Sequence, residues 1–375
     1  MLTLLLKFKI NLEEYDVSTY SQHYGPLFHR WLPDGEKDAI VLDTGDPNAE
    51  LKVWFERLGF KDKDFIEFDY TRREVDPETI PKQAILEAGP LMGLLKIQAL
   101  SEEESTPLRE NKVGDARYVA LGKKVVRLIH VPVARFLDVL RTNYGQYWIR
   151  GLEKWDSRKE SLGRYCSSSL KLNLEWSLDE GETWARFMPD EPTARLTVTM
   201  RMDRSFREYL TKDDWQQLAK VSREAYEPSL AAFLLAQAHQ FLDQGNLKHA
   251  LIEGVSALEV ALEEFVRQKL DGDNSLAKSM QAFWQLPLPA RLIPVVSTLG
   301  TARLEDVELA AEAIDMRNKV VHDGWDPPER AQHKLSGFLN TVAALVAGPR
   351  FKFPIVNPGN KIMPLEEWEK QDHGC

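Results

Sequence analysis

The sequence predicts a two-domain α+β protein. A mainly-β N-terminal domain (1–212), sandwich-like or α+β, precedes an antiparallel helical bundle (213–348) and an extended C-terminal tail (349–375). The length of 375 residues exceeds what one hydrophobic core usually serves. From Asp213 onward, Ala, Leu and Gln increase and strand-like alternation stops. Before that point the strands come in runs without regularly interposed helices, which argues against a doubly wound sheet.

The composition is that of a globular protein, with 43% hydrophobic and 28% charged residues. No apolar run approaches the ~20 residues that cross a bilayer, so we expect no membrane association. The apolar start of the chain alternates like a strand and lacks a small-residue cleavage site, unlike a signal peptide. Cys166 and Cys375 are the only cysteines and offer neither a disulfide framework nor a metal cluster. We therefore expect a cytoplasmic protein without metal or cofactor.

The net charge of −10 argues against a broad nucleic-acid-binding surface. Any contact with RNA must come from a local basic cluster, from two subunits together, or from the N-terminal domain. The densest arginines are Arg72, Arg73, Arg201, Arg204 and Arg207. They are either solvated strand ends or a surface for RNA or a phosphate-bearing trigger.

The N-terminal domain is predicted to be mostly strands with a few helices. Strands are expected at 2–12, 38–42, 65–70, 83–87, 91–98, 146–151, 168–176, 183–187 and 194–202. Helices are expected at 47–58 and 133–142. The charged stretch 101–115 is expected to be a loop, and 117–121 with 124–131 a hairpin around Gly122.

One local motif is the octapeptide from Ser177 to Trp184, which matches the Asp-box pattern repeated in sialidase propellers. Asp179 can accept hydrogen bonds from turn amides, Gly181 can take a positive φ, and Trp184 can pack beneath a hairpin. Since the box occurs once, it indicates a stabilised hairpin, with a link to sugar chemistry as the alternative.

The C-terminal bundle is predicted from helical periodicity. The helices are expected at 213–225, 229–243, 247–270, 288–299, 305–324 and 333–347. The long helix carries an apolar seam at Leu251, Val255, Leu258 and Leu262. Beside this seam runs a stripe of small residues, which would let another helix approach closely: Ala250, Gly254, Ala257 and Ala261.

The helix at 305–324 carries the candidate chemistry. Its apolar positions are Val307, Ala311, Ile314 and Val321, and Gly324 followed by prolines ends it. Asn318 and His322 are one turn apart and share a face. Arg317 lies about 140° round the helix from His322.

The string from Arg317 through Asn318 and Lys319 to His322 resembles the signature of the HEPN superfamily, an Arg followed by a polar residue and then a His. The helical region, including the long helix, also looks HEPN-like. The layout is similar to that of prokaryotic abortive-infection proteins with an Apea-like HEPN domain. The resemblance implies a toxin-like or anti-phage endoribonuclease that acts on tRNA or mRNA as a homodimer. It also implies an N-terminal domain that senses a phage or cellular trigger.

The residue types suit RNA cleavage without a metal. Such a reaction needs a base for the 2′-OH, an acid for the leaving 5′-oxygen, and positive charge on the transition state. Histidine titrates near neutrality and suits the first two roles, and arginine grips phosphate oxygens with a forked, permanent charge. We therefore predict His322 and Arg317 as catalytic, with Asn318 orienting the imidazole or holding the ribose.

Supporting residues are predicted around this motif. Family precedent lets Glu259 brace the Arg or His, although it is equally an exposed helical Glu. Lys248 and Lys319 are expected to contact RNA or support the motif, and His249 either lines the same cleft or is a plain surface residue. The alternative function is a non-catalytic HEPN domain that binds nucleotide, RNA or a protein partner.

Overall fold

A computed structural model describes most of the chain. The described residues are 2–10, 12, 26, 27–29, 31–56, 85–110, 112, 115–149, 152, 174–187, 210–223, 228–270, 285–292, 304–347, 356–357 and 361–362. The expected strands at 65–70 and 194–202 and the five arginines of the basic clusters lie outside these residues.

The described chain forms two compact units. The first unit comprises 1–139, 149–201 and 209–227, and the second comprises 140–148, 202–208 and 228–375. None of the helices described in either unit is long and apolar enough to cross a bilayer.

The first unit is built on a six-stranded antiparallel sheet with the strand order β3-β4-β6-β1-β7-β8. Its strands are β1 (Leu2–Ile10), β3 (Ile40–Leu42), β4 (Ala49–Phe55), β6 (Leu91–Leu100), β7 (Glu175–Ser177) and β8 (Ala185–Arg186). The short strands β2 (Leu27–His29) and β5 (Ile85–Glu87) pair separately. With the helices below, these strands confirm the α+β class.

One face of this sheet is buried, because the strands alternate buried and half-exposed residues. The helices described in the first unit are α1 (Glu102–Arg109), α2 (Ala116–Thr142) and α3 (Lys212–Arg223). The ring of Trp215 lies 5.6 Å from that of Phe55 and 6.4 Å from that of Phe136, and its indole N–H donates to the Asp38 carbonyl at 2.9 Å. The helix at 213–225, which the sequence assigns to the bundle, thus packs within the first unit as α3.

Four elements predicted for the N-terminal domain are wrong. The expected helix at 47–58 is strand β4, whose Leu51, Val53 and Phe55 are buried while the residues between them are not. The expected loop at 101–115 contains α1, which begins with a capping box between Ser101 and Glu104.

The expected hairpin at 117–131 is the first half of α2. Gly122 does not interrupt this helix, because Leu121, Val125 and Ile129 recur at helical spacing and are buried. The helix predicted at 133–142 is its second half. The strand predicted at 146–151 is turn and irregular chain where it is described.

The Asp-box motif forms the predicted hairpin between β7 and β8. The Asp179 carboxylate accepts hydrogen bonds from the Thr183 amide at 3.0 Å and from the hydroxyls of Ser177 and Thr183. These bonds lower the pKa of Asp179 to about 2. Gly181 has a φ of +92°, and Trp184 lies against it. The motif therefore acts as a turn stabiliser.

The second unit is a helical bundle. Its helices are α4 (Leu230–Asp243), α5 (Leu247–Leu270), α6 (Leu304–Asp323) and α7 (Ala331–Ala347), with one further helical stretch at 288–292. The bounds of α5 are those predicted, and those of α4, α6 and α7 differ by one or two residues. Short strands at Val356–Asn357 and Lys361–Ile362 are the described part of the predicted tail.

The small-residue stripe of α5 is used inside this bundle. Ala250, Ala257 and Ala261 are buried. A Cβ added at Gly254 would lie 2.7 Å from Leu339 Cδ2 and 3.0 Å from Phe338 Cε1, both on α7. The close approach predicted from the stripe is therefore made by the chain's own helix, and the stripe is not free for a second copy.

The end of α2 and the turn after it belong to this second unit. Arg141 is 1% exposed and donates to the Gln240 side-chain oxygen at 3.2 Å. The ring of Tyr147 stacks on His239 of α4 with a centroid distance of 4.0 Å. Since His239 is buried in this stack, it packs within its helix as a structural residue.

Candidate functional site at the end of helix α6

Helix α6 presents a buried face to the bundle and a charged face outward. Ala310, Ala313, Ile314 and Val320 are buried, while Val321, predicted to lie on the apolar face, is 54% exposed. The helix ends at Gly324, with a φ of +65°, and the Trp325 amide donates to the Lys319 carbonyl at 3.3 Å. The apolar face of α6 is thus only partly covered at its last turn.

Arg317 is held by an ion pair to helix α5. Its Nη2 atom lies 2.8 Å from Glu259 Oε1, and the two side chains are 26% and 47% exposed. Arg317 follows Ala310 and Ala313 at helical spacing, so its stem leaves the bundle-facing side of α6. Its guanidinium therefore has a defined position at the edge of the bundle, reachable from solvent.

His322 lies on a different side of helix α6 from Arg317. It is exposed and makes no hydrogen bond or ion pair with any residue that the structure describes. Asn318 is half-buried one turn earlier on the same face. Because Arg317 and His322 are about 140° apart round the axis, the two functional groups of one chain do not converge on a single point.

The two predicted supporting lysines lie in different places. Lys319 is on the exposed outer face of α6. Lys248, near the start of α5, pairs with Asp326 at 2.7 Å. Lys248 and Glu259 lie on one flank of α5, about 16 Å apart along its axis. The flank that holds Arg317 therefore also carries Lys248, whereas Lys319 lies away from it.

His249 is directed toward α4. Its Nδ1 atom lies 2.8 Å from Asn246 Oδ1, and its ring centroid is 5.2 Å from that of Phe241. Glu253 is one turn away, and burial raises its pKa. His249 is about 100° round α5 from Lys248, so it lies off the flank that bears the Arg317 ion pair.

Sequence reasoning missed two features of this site. Asp326, the partner of Lys248, lies in the loop beyond the helix, where no periodicity marks it. The exposure of Val321 depends on where the bundle stops covering α6, which no local pattern reports. Among the residues described, no group of three or more His, Cys, Asp or Glu is arranged to hold a metal ion.

Comparisons with protein-family models, with curated proteins and with solved structures each found no match for this chain. Membership of the HEPN superfamily therefore stays a prediction from the Arg317–His322 string and its helical setting.

Proposed function

We propose that this chain is a metal-independent endoribonuclease of the HEPN class. The observation that carries the proposal is the Arg317–Glu259 ion pair, which fixes a solvent-reachable guanidinium on the same helix as exposed His322. Arginine in such a position can bind a phosphate, and an exposed imidazole can exchange protons with a bound substrate.

The reaction follows from these groups. The 2′-oxygen attacks the adjacent phosphorus while an imidazole takes its proton. The bond from phosphorus to the 5′-oxygen breaks, and a second acid protonates that oxygen. The products are a 2′,3′-cyclic phosphate and a free 5′-hydroxyl. Arg317 stabilises the charge that develops on the non-bridging oxygens, and Asn318 orients the His322 ring or holds the ribose.

A homodimer would supply the two histidines that the reaction needs. Each motif supplies one His, and the reaction needs a base and an acid. Two copies that meet through the ends of α6 would supply both, and would bring the Arg of one chain toward the His of the other. The exposed side chain of Val321 offers apolar surface at that place.

The biological role proposed is toxin-like or anti-phage RNA cleavage in the cytoplasm. This part rests on the similarity of the domain layout to abortive-infection proteins. The N-terminal unit is then the sensor or specificity element, and a phage or cellular trigger is its partner.

Purified full-length protein incubated with tRNA or total RNA in excess EDTA tests the proposal. We expect cleavage that is abolished by Arg317→Ala and by His322→Ala. The matched controls are Arg330→Ala and His333→Ala, which remove exposed residues of the same types from the same unit and should retain activity. If the double variant at 317 and 322 cuts as fast as the parent, the proposal is refuted.

The second candidate function is a non-catalytic binding domain. The same ion pair favours it, because a guanidinium already neutralised by a carboxylate can serve binding or packing alone. In that case RNA is bound but stays intact, and Arg317→Ala weakens binding whereas His322→Ala does not.

A further inference from the structure

The open face of the six-stranded sheet carries a cross-strand row of charged residues. Antiparallel register places Lys52 opposite Leu94, Leu94 opposite Lys7, Lys7 opposite Glu175, and Glu175 opposite Arg186. Residues directly opposite each other in register lie on the same face. The row therefore crosses five strands, about 19 Å, with three cations and one carboxylate.

The neighbouring row adds an aromatic ring and a further cation. Trp54 lies opposite Met92, and Met92 lies opposite Lys9, all half-exposed. On the hairpin side, the Lys7 ammonium lies 4.3 Å from the ring centroid of Trp184. The face thus combines apolar and aromatic side chains with ammonium groups on β4 and β1 and a guanidinium on the edge strand β8.

The lysines of this face can pair with phosphates in place of their glutamates. Lys7, Lys9 and Lys52 pair with glutamates at 2.7 Å, 3.3 Å and 3.2 Å, but their side chains are 44%, 35% and 39% exposed. Exposed ion pairs contribute little, so each lysine can turn from its glutamate to a phosphate at small cost. The acidic turn of the Asp-box hairpin lies at the end of the face that carries Trp184 and Arg186, so the lysines Lys7, Lys9 and Lys52 on β1 and β4 form its basic part.

We propose that this open sheet face binds single-stranded RNA, with bases on the apolar and aromatic centre and phosphates on Lys52, Lys7 and Arg186. Sheets that bind single strands combine a basic track with stacking platforms in this way. In a chain with a net charge of −10, a phosphate backbone is held only where cations are collected locally, as they are here. The inference deepens the proposed function, on which it rests for the identity of the polymer.

Binding is measured by fluorescence anisotropy of a labelled oligouridine of about 12 nucleotides, within the range of site sizes for single-strand binders. The full-length protein carries His322→Ala, so that binding is measured without the proposed cleavage. Adding Lys7→Gln, Lys52→Gln and Arg186→Gln should weaken binding at least tenfold. It should also make the slope of log affinity against log salt shallower by about two. Adding Trp54→Leu alone should weaken binding roughly fivefold or more.

The matched control adds Lys123→Gln, Arg127→Gln and Lys220→Gln, three exposed cations on helices of the same unit. This triple variant should bind as the His322→Ala protein does, and all variants should show the same thermal melt by circular dichroism. Equal losses in both triple variants, unchanged binding in the sheet variant, or equal binding of a duplex overturns the proposal. A protein that binds no RNA also overturns the proposal. The same holds if the sheet substitutions alter self-association while no RNA is bound. Because the measurement needs no cleavage, these outcomes are separate from failure of the ribonuclease proposal.

Discussion

The smallest unit of the candidate site is the ion pair between Arg317 and Glu259. Its partners come from two helices, and both remain in contact with solvent. Such a pair adds little to stability, since an exposed ion pair contributes about 0–1 kcal/mol. Its effect is geometric, because it restricts a long side chain to one position at the bundle edge. Glu259 is thus a positioning residue in the proposed mechanism.

Replacing Glu259 with Gln should separate positioning from stability. We expect the cleavage rate to fall about 10- to 100-fold, because a small displacement of a catalytic group costs that much. We expect the free energy of unfolding to change by less than about 1 kcal/mol. Single-turnover cleavage and urea denaturation measure the two effects.

Glu308→Gln is the matched control, since Glu308 is exposed on the outer face of α6. Glu259→Asp should recover part of the rate, because it keeps the charge while shortening the reach. An unchanged rate per folded molecule in Glu259→Gln would contradict the positioning role.

At the scale of elements, α5 organises the second unit. It packs on α4, α6 and α7. Its apolar seam and its small residues face inward together, so α7 approaches closely at Gly254. This packing determines where α5 presents Glu259, and therefore where Arg317 is held. Gly254, which has no side chain, thus helps to position the helix that supplies the Glu259 carboxylate.

A side chain at Gly254 should disturb this packing. Gly254→Val places methyl groups where Leu339 and Phe338 already lie, and overpacking of this kind costs about 1–3 kcal/mol. Ser256→Val adds the same β-branched group to a half-exposed position of the same helix and should change stability by about 0.5 kcal/mol or less. Urea denaturation compares the two variants, and a Gly254→Val protein as stable as the Ser256→Val protein would contradict the close contact with α7, since helix propensity alone favours Val over Gly.

At the scale of the whole molecule, the proposed chemistry requires more than one chain. Arg317 and His322 point in different directions, and each chain supplies one motif histidine. The small residues of α5 already pack against the chain's own helices. The contact between copies is therefore expected at the C-terminal end of α6, where Val321 is 54% exposed.

Val321→Glu should therefore lower the dimer fraction and RNA cleavage together, because it places a charge in an apolar contact. Analytical ultracentrifugation and cleavage assays at the same protein concentrations measure both. Leu230→Glu is the control, since Leu230 is 58% exposed at the start of α4. A parent protein that is monomeric and cuts at a rate per chain independent of concentration would rule out the shared cleft.

Sequence patterns alone determined the α+β class, the helices α4, α5, α6 and α7, and the place of Arg317, Asn318 and His322 on one helix. They also determined the Asp-box hairpin. These features depend on periodicity, caps and turn residues, which act within a few positions of the chain. The close approach at Gly254 was foreseen for the same reason, because a small-residue stripe is a local pattern.

Only the tertiary structure decided the rest. Strand β4 was predicted as a helix and the first half of α2 as a hairpin, because short apolar runs suit either state until their neighbours are placed. The meeting of Arg317 with Glu259, the pairing of Lys248 with Asp326 and the exposure of Val321 likewise join distant parts of the chain. Each depends on which surfaces the packed helices cover, and that information is not carried by any one stretch of the sequence.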